Sequence, residues 1–350
     1  MRRSANGRLR LAAVLTIASL GLLACGSGSD TAQPAGPSAS AAPALKVGLA
    51  YDVGGRGDRS FNDAAAAGLD KAVAELGGTK EELSPNASGS DRGDNLRQLA
   101  QDGFNPVIAV GFAYAESLKT VATDFPETTF FIVDDSSINL PNVKALIFAE
   151  EQGSFLVGAA AALKSTTDNV GYIGGVQTPL LQKFEAGFVA GAKQVKPNIK
   201  TQVKDLSQPP DFSGFNSPDK GRETANGMYD AGADVIYAAA GGSGTGVFQS
   251  ALAKKKKAIG VDSDQYESVG DPTLQPVILT SMLKRVDVAV FQSLELFSKK
   301  QAIPAVSVFD LSVDGVGYST SGGFVTDIAP KLEELKAQII AGTIKVPTTP

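Results

Sequence analysis

The chain has no histidine and no tryptophan, and Cys25 is the only cysteine among its 350 residues. Without histidine, a Ser-His-Asp triad and a Cys-His pair are excluded, and the usual zinc sites lose their main ligands. Enzymes that use carboxylates alone remain possible. The composition therefore removes several common classes of catalytic site before any motif is considered.

Phosphate-binding signatures are absent as well. The stretch AYDVGGRGDRSFND, residues 50–63, has Ser60 where a dinucleotide-binding fingerprint needs its third glycine, and Asp52 and Asp58 would repel a phosphate. No G-x-x-x-x-G-K-S/T sequence occurs in the chain, and the GGSGTG run at Gly241 lacks the register of a nucleophile elbow. The glycines of residues 50–63 instead predict a loop whose backbone approaches a ligand closely.

Positive charge is scarce too, since 32 basic residues face 37 acidic ones and the formal net charge is -5. Residues 1–24 contain four arginines and no acidic residue, so removal of this segment would make the remainder more acidic. Such a body should avoid nucleic-acid backbones and anionic lipid. The one basic run, residues 254–257, is interpreted as a solvated helix end rather than a binding patch.

The N-terminal residues predict a signal peptide and a lipid anchor. Arginines come first and an apolar run over residues 11–24 follows, which is the order of an export signal. The residues LLAC that end at Cys25 resemble the lipobox of bacterial lipoproteins, and residues 25–44 predict a flexible tether rich in Gly, Ser, Pro and Ala. We expect a lipid-anchored protein on the extracytoplasmic face of the cell membrane; a signal with an incidental thiol is the alternative.

From residue 45 onward the sequence predicts repeated βα units. Short apolar runs alternate with helical patterns of about 12 to 17 residues, which is typical of a parallel sheet. Ser60 and Asp91 are predicted N-caps. The predicted strands are KVGLAY, VIAV, TFFIVDD, NVKALIFA, VGYIGG, residues 201–204, DVIYAAA, KKAIGV, PVILTSM and GVGYST. Predicted helices cover about residues 60–76, 91–102, 113–125, 150–164, 183–195, 286–299 and 330–341, and two more start near Lys220 and Gly244.

The βα pattern breaks at residues 166–169 and then starts again, which predicts two similar lobes. The expected first lobe comprises residues 45–165 and about 284–312, and the second comprises residues 166–283 and about 313–350. The last elements are too few for a third domain, so they are interpreted as crossing back between the lobes. The predicted fold class is α/β, with two parallel sheets.

Acids and glycines recur where the predicted strands end. Ligands of open parallel sheets lie beyond the carboxyl ends of the strands. Each acid alone would serve equally well as a helix or turn cap, but acids at three such ends favour a polyol or a ribose. The residues at these positions are Asp52, Gly111, Phe112, Asp134, Asp135, Gly241, Gly242 and Asp262.

Two phenylalanines stand at comparable places in the two halves. Phe61 begins a predicted helix after the glycine-rich loop, and Phe215 lies between a proline-rich loop and another helix. Phe61 would either pack onto its own helix as a staple or form an aromatic wall for a flat ligand. In the second case Asn62 would offer a donor and an acceptor to the edge of that ligand.

Four stretches together resemble a known family. They are DVGGRGDRSFN, FIVDD with EEQGSFLVGAAAALKS, GFNSPDKGRETA, and GVDSDQ followed by ILTSMLKRVD. They resemble the basic membrane protein family, the purine nucleoside receptor type of ABC transporter substrate-binding lipoprotein, over nearly all of residues 45–350. The resemblance implies a type I periplasmic-binding-protein fold, in which two Rossmann-like lobes are joined by a three-strand hinge.

The resemblance also implies roles for individual residues. It implies a nucleoside clamped between two aromatic rings, which correspond to Phe61 and Phe215, with Asp52 and Asn62 at the base. The other positions that it assigns to the ligand are Asp262 and Lys284 at the ribose, Gly241 for a backbone contact, and Phe112 and Asp135.

The predicted function is therefore capture of a nucleoside, most readily a purine nucleoside, for the permease of an ABC importer. We expect a monomer without metal, cofactor, catalysis or nucleic-acid binding. A binding protein for a sugar or another small solute on the same fold is the first alternative, although the lack of tryptophan mildly disfavours a pyranose site. A carboxylate-driven nucleoside hydrolase is another. A transcriptional regulator would carry a DNA-binding segment where this sequence has an export signal.

Overall fold

The computed structural model describes residues 45–350. The predicted signal peptide, the lipidation residue Cys25 and the predicted tether lie outside the described residues, as does the anchoring that they predict. Within the described range, two six-stranded sheets alternate with helices along the chain. The predicted α/β class is confirmed.

The secondary-structure elements follow in chain order. The first part of the chain forms β1 (Leu45–Ala50), α1 (Phe61–Leu76), β2 (Gly78–Leu83), α2 (Arg92–Gln101), β3 (Val107–Ala109), α3 (Ala115–Asp124), β4 (Phe130–Val133) and β5 (Val143–Phe148). The middle part forms α4 (Glu150–Lys164), β6 (Asn169–Val176), α5 (Pro179–Val195), β7 (Lys200–Ser207), α6 (Pro218–Asp230), β8 (Val235–Ala239), α7 (Gly244–Lys254), β9 (Lys257–Asp262), α8 (Gln265–Ser268) and β10 (Ile278–Lys284). The last part forms α9 (Val286–Ser298), β11 (Val306–Phe309), β12 (Val316–Tyr318) and α10 (Ala329–Ile340).

Each sheet defines one lobe. The strand order is β11-β5-β4-β3-β1-β2 in the first sheet and β12-β10-β9-β8-β6-β7 in the second. All neighbouring strands are parallel except β10 and β12. Over residues 45–350 the chain crosses between the sheets three times, after β5, after β10 and after β11, so the crossovers form a three-segment hinge.

Helix α4 packs against the second sheet, although the predicted first lobe extends through residue 165. It lies against α5, where Gly158 meets the backbone of Phe188 and Gly191 meets the backbone of Phe155 so closely that neither glycine could carry a Cβ. The lobe boundaries stay a prediction, but the contact places the first crossover before α4. Because α4 is buried along most of its length, its apolar spacing could not identify the sheet that it covers.

Two edge strands escaped the sequence analysis. β2 has the sequence GTKEEL and β11 has the sequence VSVF, and each pairs with only one neighbouring strand. Central strands such as β3 and β4 are buried at every residue and form continuous apolar runs, which makes them easy to predict. β2 instead carries charges that protect an exposed sheet edge, so it lacks the usual strand signal.

Candidate functional site

A cavity lies between the lobes and is lined by residues at the carboxyl ends of strands in both sheets. Its volume, including the open mouth, is about 570 Å³. Its lining includes eight of the nine ligand-binding residues predicted from the sequence: Asp52, Phe61, Asn62, Phe112, Phe215, Gly241, Asp262 and Lys284. The other lining residues are Val53, Asp58, Asp134, Leu180, Leu181, Phe184, Ala239 and Val261.

The two phenylalanines reach the cavity from opposite lobes. Phe61 is the first residue of α1, and the Nζ atom of Lys284 lies 4.9 Å from the centre of its ring. Phe215 ends a short 3-10 turn and packs on the backbone at Gly175 of β6, where a Cβ atom would collide with the ring. The cavity therefore has an aromatic side chain on each side.

Asp58 organises the loop in front of α1. Its carboxylate accepts hydrogen bonds from the backbone N–H groups of Ser60, Asn62 and Asp63 at 2.9 to 3.1 Å, a capping role that the sequence assigns to Ser60. It also accepts one from Nδ2 of Asn62 at 3.0 Å, while Oδ1 of Asn62 accepts from the backbone N–H of Asp52 at 2.9 Å. The amide of Asn62 is held at both ends, which leaves one N–H hydrogen for a ligand.

Asp91, the other predicted N-cap, does precede α2. Its carboxylate makes no capping hydrogen bond and instead accepts the backbone N–H of Asn86 at 2.9 Å. Both predicted caps thus stand at the right position but use their side chains elsewhere.

Lys284, the last residue of β10, is buried among acids from different parts of the chain. Its Nζ atom contacts Asp134 Oδ2 at 2.5 Å and Glu150 Oε1 at 3.5 Å. Asp134 follows β4 of the first sheet, so this ion pair joins the two lobes. Among the described residues, neither carboxylate oxygen of Glu150 has a hydrogen-bond partner, and Oδ1 of Asp134 also lacks one.

The burial of this cluster shifts its ionisation. Burial raises the pKa of Glu150 to about 7 and that of Asp262 to about 6, and Lys284 opposes both shifts. Burial by itself would lower the pKa of Lys284, but Asp134, Glu150 and Asp262 raise it above its usual value. Lys284 thus faces three carboxylates, and the half-buried Lys183, whose Nζ atom lies 3.5 Å from Oε2 of Glu150, adds a second ammonium beside one of them. Three acids facing two lysines favour ligands with hydrogen-bond donors and disfavour anionic ones.

Hydrogen bonds between the lobes close the rim of the cavity. Ser60 Oγ donates to Asp262 Oδ2 at 2.6 Å, and Ser263 Oγ donates to the carbonyl oxygen of Ser60 at 3.1 Å. The carbonyl oxygen of Arg59 accepts a further bond from Nε2 of Gln265 at 3.1 Å. The structure is therefore that of a closed cleft, in which Asp262 already has one partner from the opposite lobe.

Asp135 is the predicted site residue that does not line the cavity. Its carboxylate accepts hydrogen bonds from the backbone N–H and the Oγ of Ser137, at 2.9 and 2.7 Å, and so closes a local turn. The adjacent Asp134 faces the cavity instead. It has a positive φ of 69°, which redirects the chain as soon as β4 ends.

Part of the cavity wall was not predicted from the sequence. Leu180, Leu181 and Phe184 come from the first turns of α5, which begins at Pro179 rather than near residue 183. The signal for this earlier start was present, because Thr178 accepts a hydrogen bond from the backbone N–H of Leu181 and a proline follows it.

Residues 45–350 contain neither a metal-binding cluster of acids nor a membrane-spanning helix. In that range no group of three or more His, Cys, Asp or Glu residues is arranged to hold a metal ion. No helix of the described part is long and apolar enough to cross a membrane.

Several known proteins are similar to this chain in sequence or in fold. A nucleoside-binding protein of an ABC transporter from Lactococcus lactis subsp. cremoris is 32% identical over 97% of this chain and 99% of its own length. An uncharacterised lipoprotein of Pyrococcus furiosus is 31% identical over 82% of this chain and 76% of its own. A crystal structure of an ABC transporter solute-binding protein from Aeropyrum pernix K1 superposes with a TM-score of 0.75 at 28% identity, covering 87% of this chain and 94% of that one.

The family model that matches residues 45–350 describes PnrA-like ABC transporter substrate-binding proteins. The match covers every residue that lines the cavity, and the resemblance noted from the sequence is confirmed. The chain belongs to the PnrA-like family of ABC transporter substrate-binding proteins.

Proposed function

We propose that this protein captures a nucleoside, and preferentially a purine nucleoside, in the cleft and presents it to the permease of an ABC importer. The observation that carries the proposal is the pair Phe61 and Phe215, which reach one acidic cavity from opposite lobes. The name of the relative from Lactococcus lactis, a nucleoside-binding protein, supports the same ligand class.

The base is the part of the ligand that the aromatic side chains suit. Stacking on one aromatic face contributes roughly 1 to 3 kcal/mol and tolerates any base, so neighbouring polar groups must supply the selectivity. Asn62 has one N–H left to donate, and Oδ2 of Asp52 is a carboxylate oxygen that can accept a hydrogen bond. A base edge with an adjacent acceptor and donor, such as that of guanine or hypoxanthine, matches this pair.

The ribose is assigned to Asp262 and Lys284. Vicinal hydroxyl groups donate well to a carboxylate and accept well from an ammonium. Oδ2 of Asp262 accepts from Ser60, which leaves Oδ1 for a ribose hydroxyl. A phosphate in the same place would meet Asp58, Asp134 and Asp262, so the nucleoside is expected to bind much better than its nucleotide.

The acids of the cavity are proposed to bind and not to catalyse. A carboxylate-driven nucleoside hydrolase would release free base from a bound nucleoside. Incubation of the protein with guanosine, followed by chromatography of the solution, tests this directly: we expect intact guanosine, and guanine accumulating in proportion to protein would refute the assignment.

Cys25 is proposed to carry the lipid that holds this protein at the extracytoplasmic face of the cell membrane. The signal-like residues before it, the flexible composition after it, and the lipoprotein name of the Pyrococcus furiosus relative support this. Cys25→Ser should abolish membrane retention or block processing. A variant that is processed and retained like wild type would refute the anchor.

Calorimetry with guanosine, inosine, adenosine, uridine and ribose tests the ligand class. We expect the purine nucleosides to bind most tightly and ribose to bind poorly, because ribose alone has no planar base to stack on the two rings. If ribose or another sugar binds as tightly as any nucleoside, the protein is a sugar-binding member of this fold.

A further inference from the structure

Arg92 is a buried cation behind Asp52, which lines the cavity, and it was not among the predicted site residues. It is the first residue of α2 and is 6% exposed. Its Nη2 atom donates to Asp52 Oδ1 at 2.8 Å, and Nε has no hydrogen-bond partner among the described residues. Its Nη1 atom also donates to the carbonyl oxygen of Gly89 at 3.2 Å. Arginine is almost never this buried unless it is paired, and Asp52 supplies the paired charge.

Arg92 favours the ionised form of Asp52. It lines the cavity at 7% exposure, and burial raises its pKa while Arg92 opposes the shift. Arg92 and the backbone N–H of Val53 both donate to Oδ1 at 2.8 Å, which turns Oδ2 toward other partners. The titratable groups that surround Asp52 are Arg92 on α2, Tyr114 before α3, Asp134 after β4 and Asp58 in its own loop.

Arg92 also contacts the opposite lobe. Its guanidinium carbon lies 5.7 Å from the centre of the Tyr114 ring in its own lobe and 5.4 Å from the centre of the Phe212 ring. Phe212 follows β7 of the second sheet, and its ring centre is 6.1 Å from that of Phe112. The contact between Arg92 and Phe212 crosses the cleft, so it exists only when the lobes are closed.

We propose that Arg92 is a positioning residue, which holds Asp52 ionised and aimed at the ligand and, through Phe212, stabilises the closed cleft around it. The proposal rests on the function proposed above, because the ligand that reports on closure is a nucleoside. Arg92 itself does not touch the ligand. It links Asp52, which would accept a hydrogen bond from the ligand, to Phe212 of the lobe that closes over the ligand.

Three variants separate the two effects. Arg92→Met removes the charge and Arg92→Lys keeps the charge but loses the planar stacking group. Phe212→Leu removes the ring that Arg92 and Phe112 contact on the second lobe and leaves the pair of Arg92 with Asp52 in place. Arg97→Met is the matched control, because Arg97 lies on the same helix, pairs with Asp124 at 2.6 Å and stacks on Phe125 at 5.8 Å, but is exposed and distant from the cavity. Thermal unfolding of each variant establishes that it is folded.

The first measurement needs no ligand and follows the carboxyl carbon of Asp52 by NMR as the pH is varied. Arg92→Met should raise the titration midpoint of Asp52 by about one to three pH units, because an opposite charge at this distance lowers an acid's pKa by that amount. Arg92→Lys should restore most of the wild-type midpoint, and Phe212→Leu and Arg97→Met should leave it unchanged. An unchanged midpoint in Arg92→Met would overturn the proposal.

The second measurement is guanosine affinity by calorimetry at pH 7. Phe212→Leu should weaken binding about threefold to tenfold through the lost cation–π contact, whereas Arg97→Met should bind like wild type. Wild-type affinity in Phe212→Leu would overturn the role in closure. If wild type does not bind guanosine while the Asp52 midpoint shifts as expected, the proposed function fails but the role of Arg92 toward Asp52 stands.

Discussion

The two lobes contribute different kinds of side chains to the cavity. The first lobe contributes a polar network of hydrogen bonds. The carboxylate of Asp58 accepts from the amide of Asn62, and that amide accepts from the backbone N–H of Asp52. Arg92 donates to the carboxylate of Asp52. The second lobe contributes an apolar wall formed by Leu180, Leu181, Phe184 and Phe215. One side of the cavity is therefore built before a ligand arrives, and the other side covers it.

This difference gives an order to binding. The hydrogen bonds of the first-lobe network lie within that lobe, so the network persists when the cleft opens. Asp262 and Lys284 are the exceptions in the second lobe, since they bond to Ser60 and Asp134 across the cleft. A ligand should therefore dock on the first lobe and be enclosed by the second, because closure adds contacts that the open state lacks.

The largest expected effect comes from Asp262, where ligand contact and closure coincide. Asp262→Ala should weaken guanosine binding by roughly 2 to 4 kcal/mol, since it deletes a charged acceptor and leaves buried donors unpaired. Ser60→Ala is the matched control, because it removes the hydrogen bond from Ser60 Oγ to Asp262 and keeps the carboxylate that the ligand would contact. It should weaken guanosine binding by about 1 kcal/mol. Calorimetry with guanosine measures both losses.

A deoxynucleoside separates the two roles of Asp262. Wild type should bind 2'-deoxyguanosine more weakly than guanosine, while Asp262→Ala should bind the two nearly alike. The same discrimination in both proteins would mean that Asp262 contributes only to closure and not to the ribose.

The next largest effect is the pH dependence of stability that arises from Glu150, which lies at the start of α4 beside the first crossover. Its folded pKa of about 7 lies above the ordinary glutamate value of 4.5, so the folded protein keeps a proton that the unfolded chain releases. The resulting stabilisation is complete below about pH 4.5 and is lost as the pH rises through about 7. The free energy of unfolding should therefore fall by up to about 3 kcal/mol across this window.

Urea unfolding of wild type and Glu150→Gln at several pH values checks this expectation. The amide cannot titrate, so the decline should become shallower in Glu150→Gln, although Asp262, with a pKa of about 6, contributes to the lower half of the window. Glu116→Gln, at an exposed position of α3, serves as the control and should leave the slope unchanged. A wild-type slope in Glu150→Gln would mean that Glu150 is ionised throughout.

The third largest effect is the loss of guanosine affinity when Phe61 or Phe215 is removed. Phe61→Ala and Phe215→Ala should each weaken guanosine binding by roughly 1 to 3 kcal/mol, since each removes one stacking face. The lobes should differ in kinetics: loss of Phe215 should mainly raise the dissociation rate, because its lobe arrives last. Full guanosine affinity in both variants, measured by calorimetry, would eliminate stacking as the basis of recognition.

The sequence predicted the α/β fold and eight of the sixteen residues that line the cavity, for physical reasons that can be named. Buried strands such as VIAV are continuous apolar runs, and whatever follows them must lie at the ligand edge of a parallel sheet. That rule found Asp52, Phe112 and Asp262 without reference to any family. The polar edge strand β2 and the buried helix α4 were harder, because neither has a pattern that identifies its neighbours.

Contacts between distant residues could not be predicted. Arg92, 40 residues from Asp52, has no local feature that distinguishes it from the exposed Arg97 on the same helix. Glu150 appears in the sequence as an ordinary acid in the first turn of a helix. Its burial depends on how β10 and α5 fold over it, which is information that only the tertiary structure contains.

The smallest expected effect concerns the adjacent acids Asp134 and Asp135, of which only Asp134 lines the cavity. The resemblance assigns Asp135, but its carboxylate closes a turn with Ser137 and lies outside the cavity, whereas Asp134 lines it and pairs with Lys284. Asp135→Ala should therefore change guanosine affinity by no more than about 0.5 kcal/mol, as expected for a surface substitution. Asp134→Asn is its matched partner and should weaken binding at least about tenfold, because it leaves the ammonium of Lys284 without its nearest charge. Calorimetry on the two variants decides between them: a large loss in Asp135→Ala with normal affinity in Asp134→Asn would mean that the strand end turns the other way when a ligand is bound.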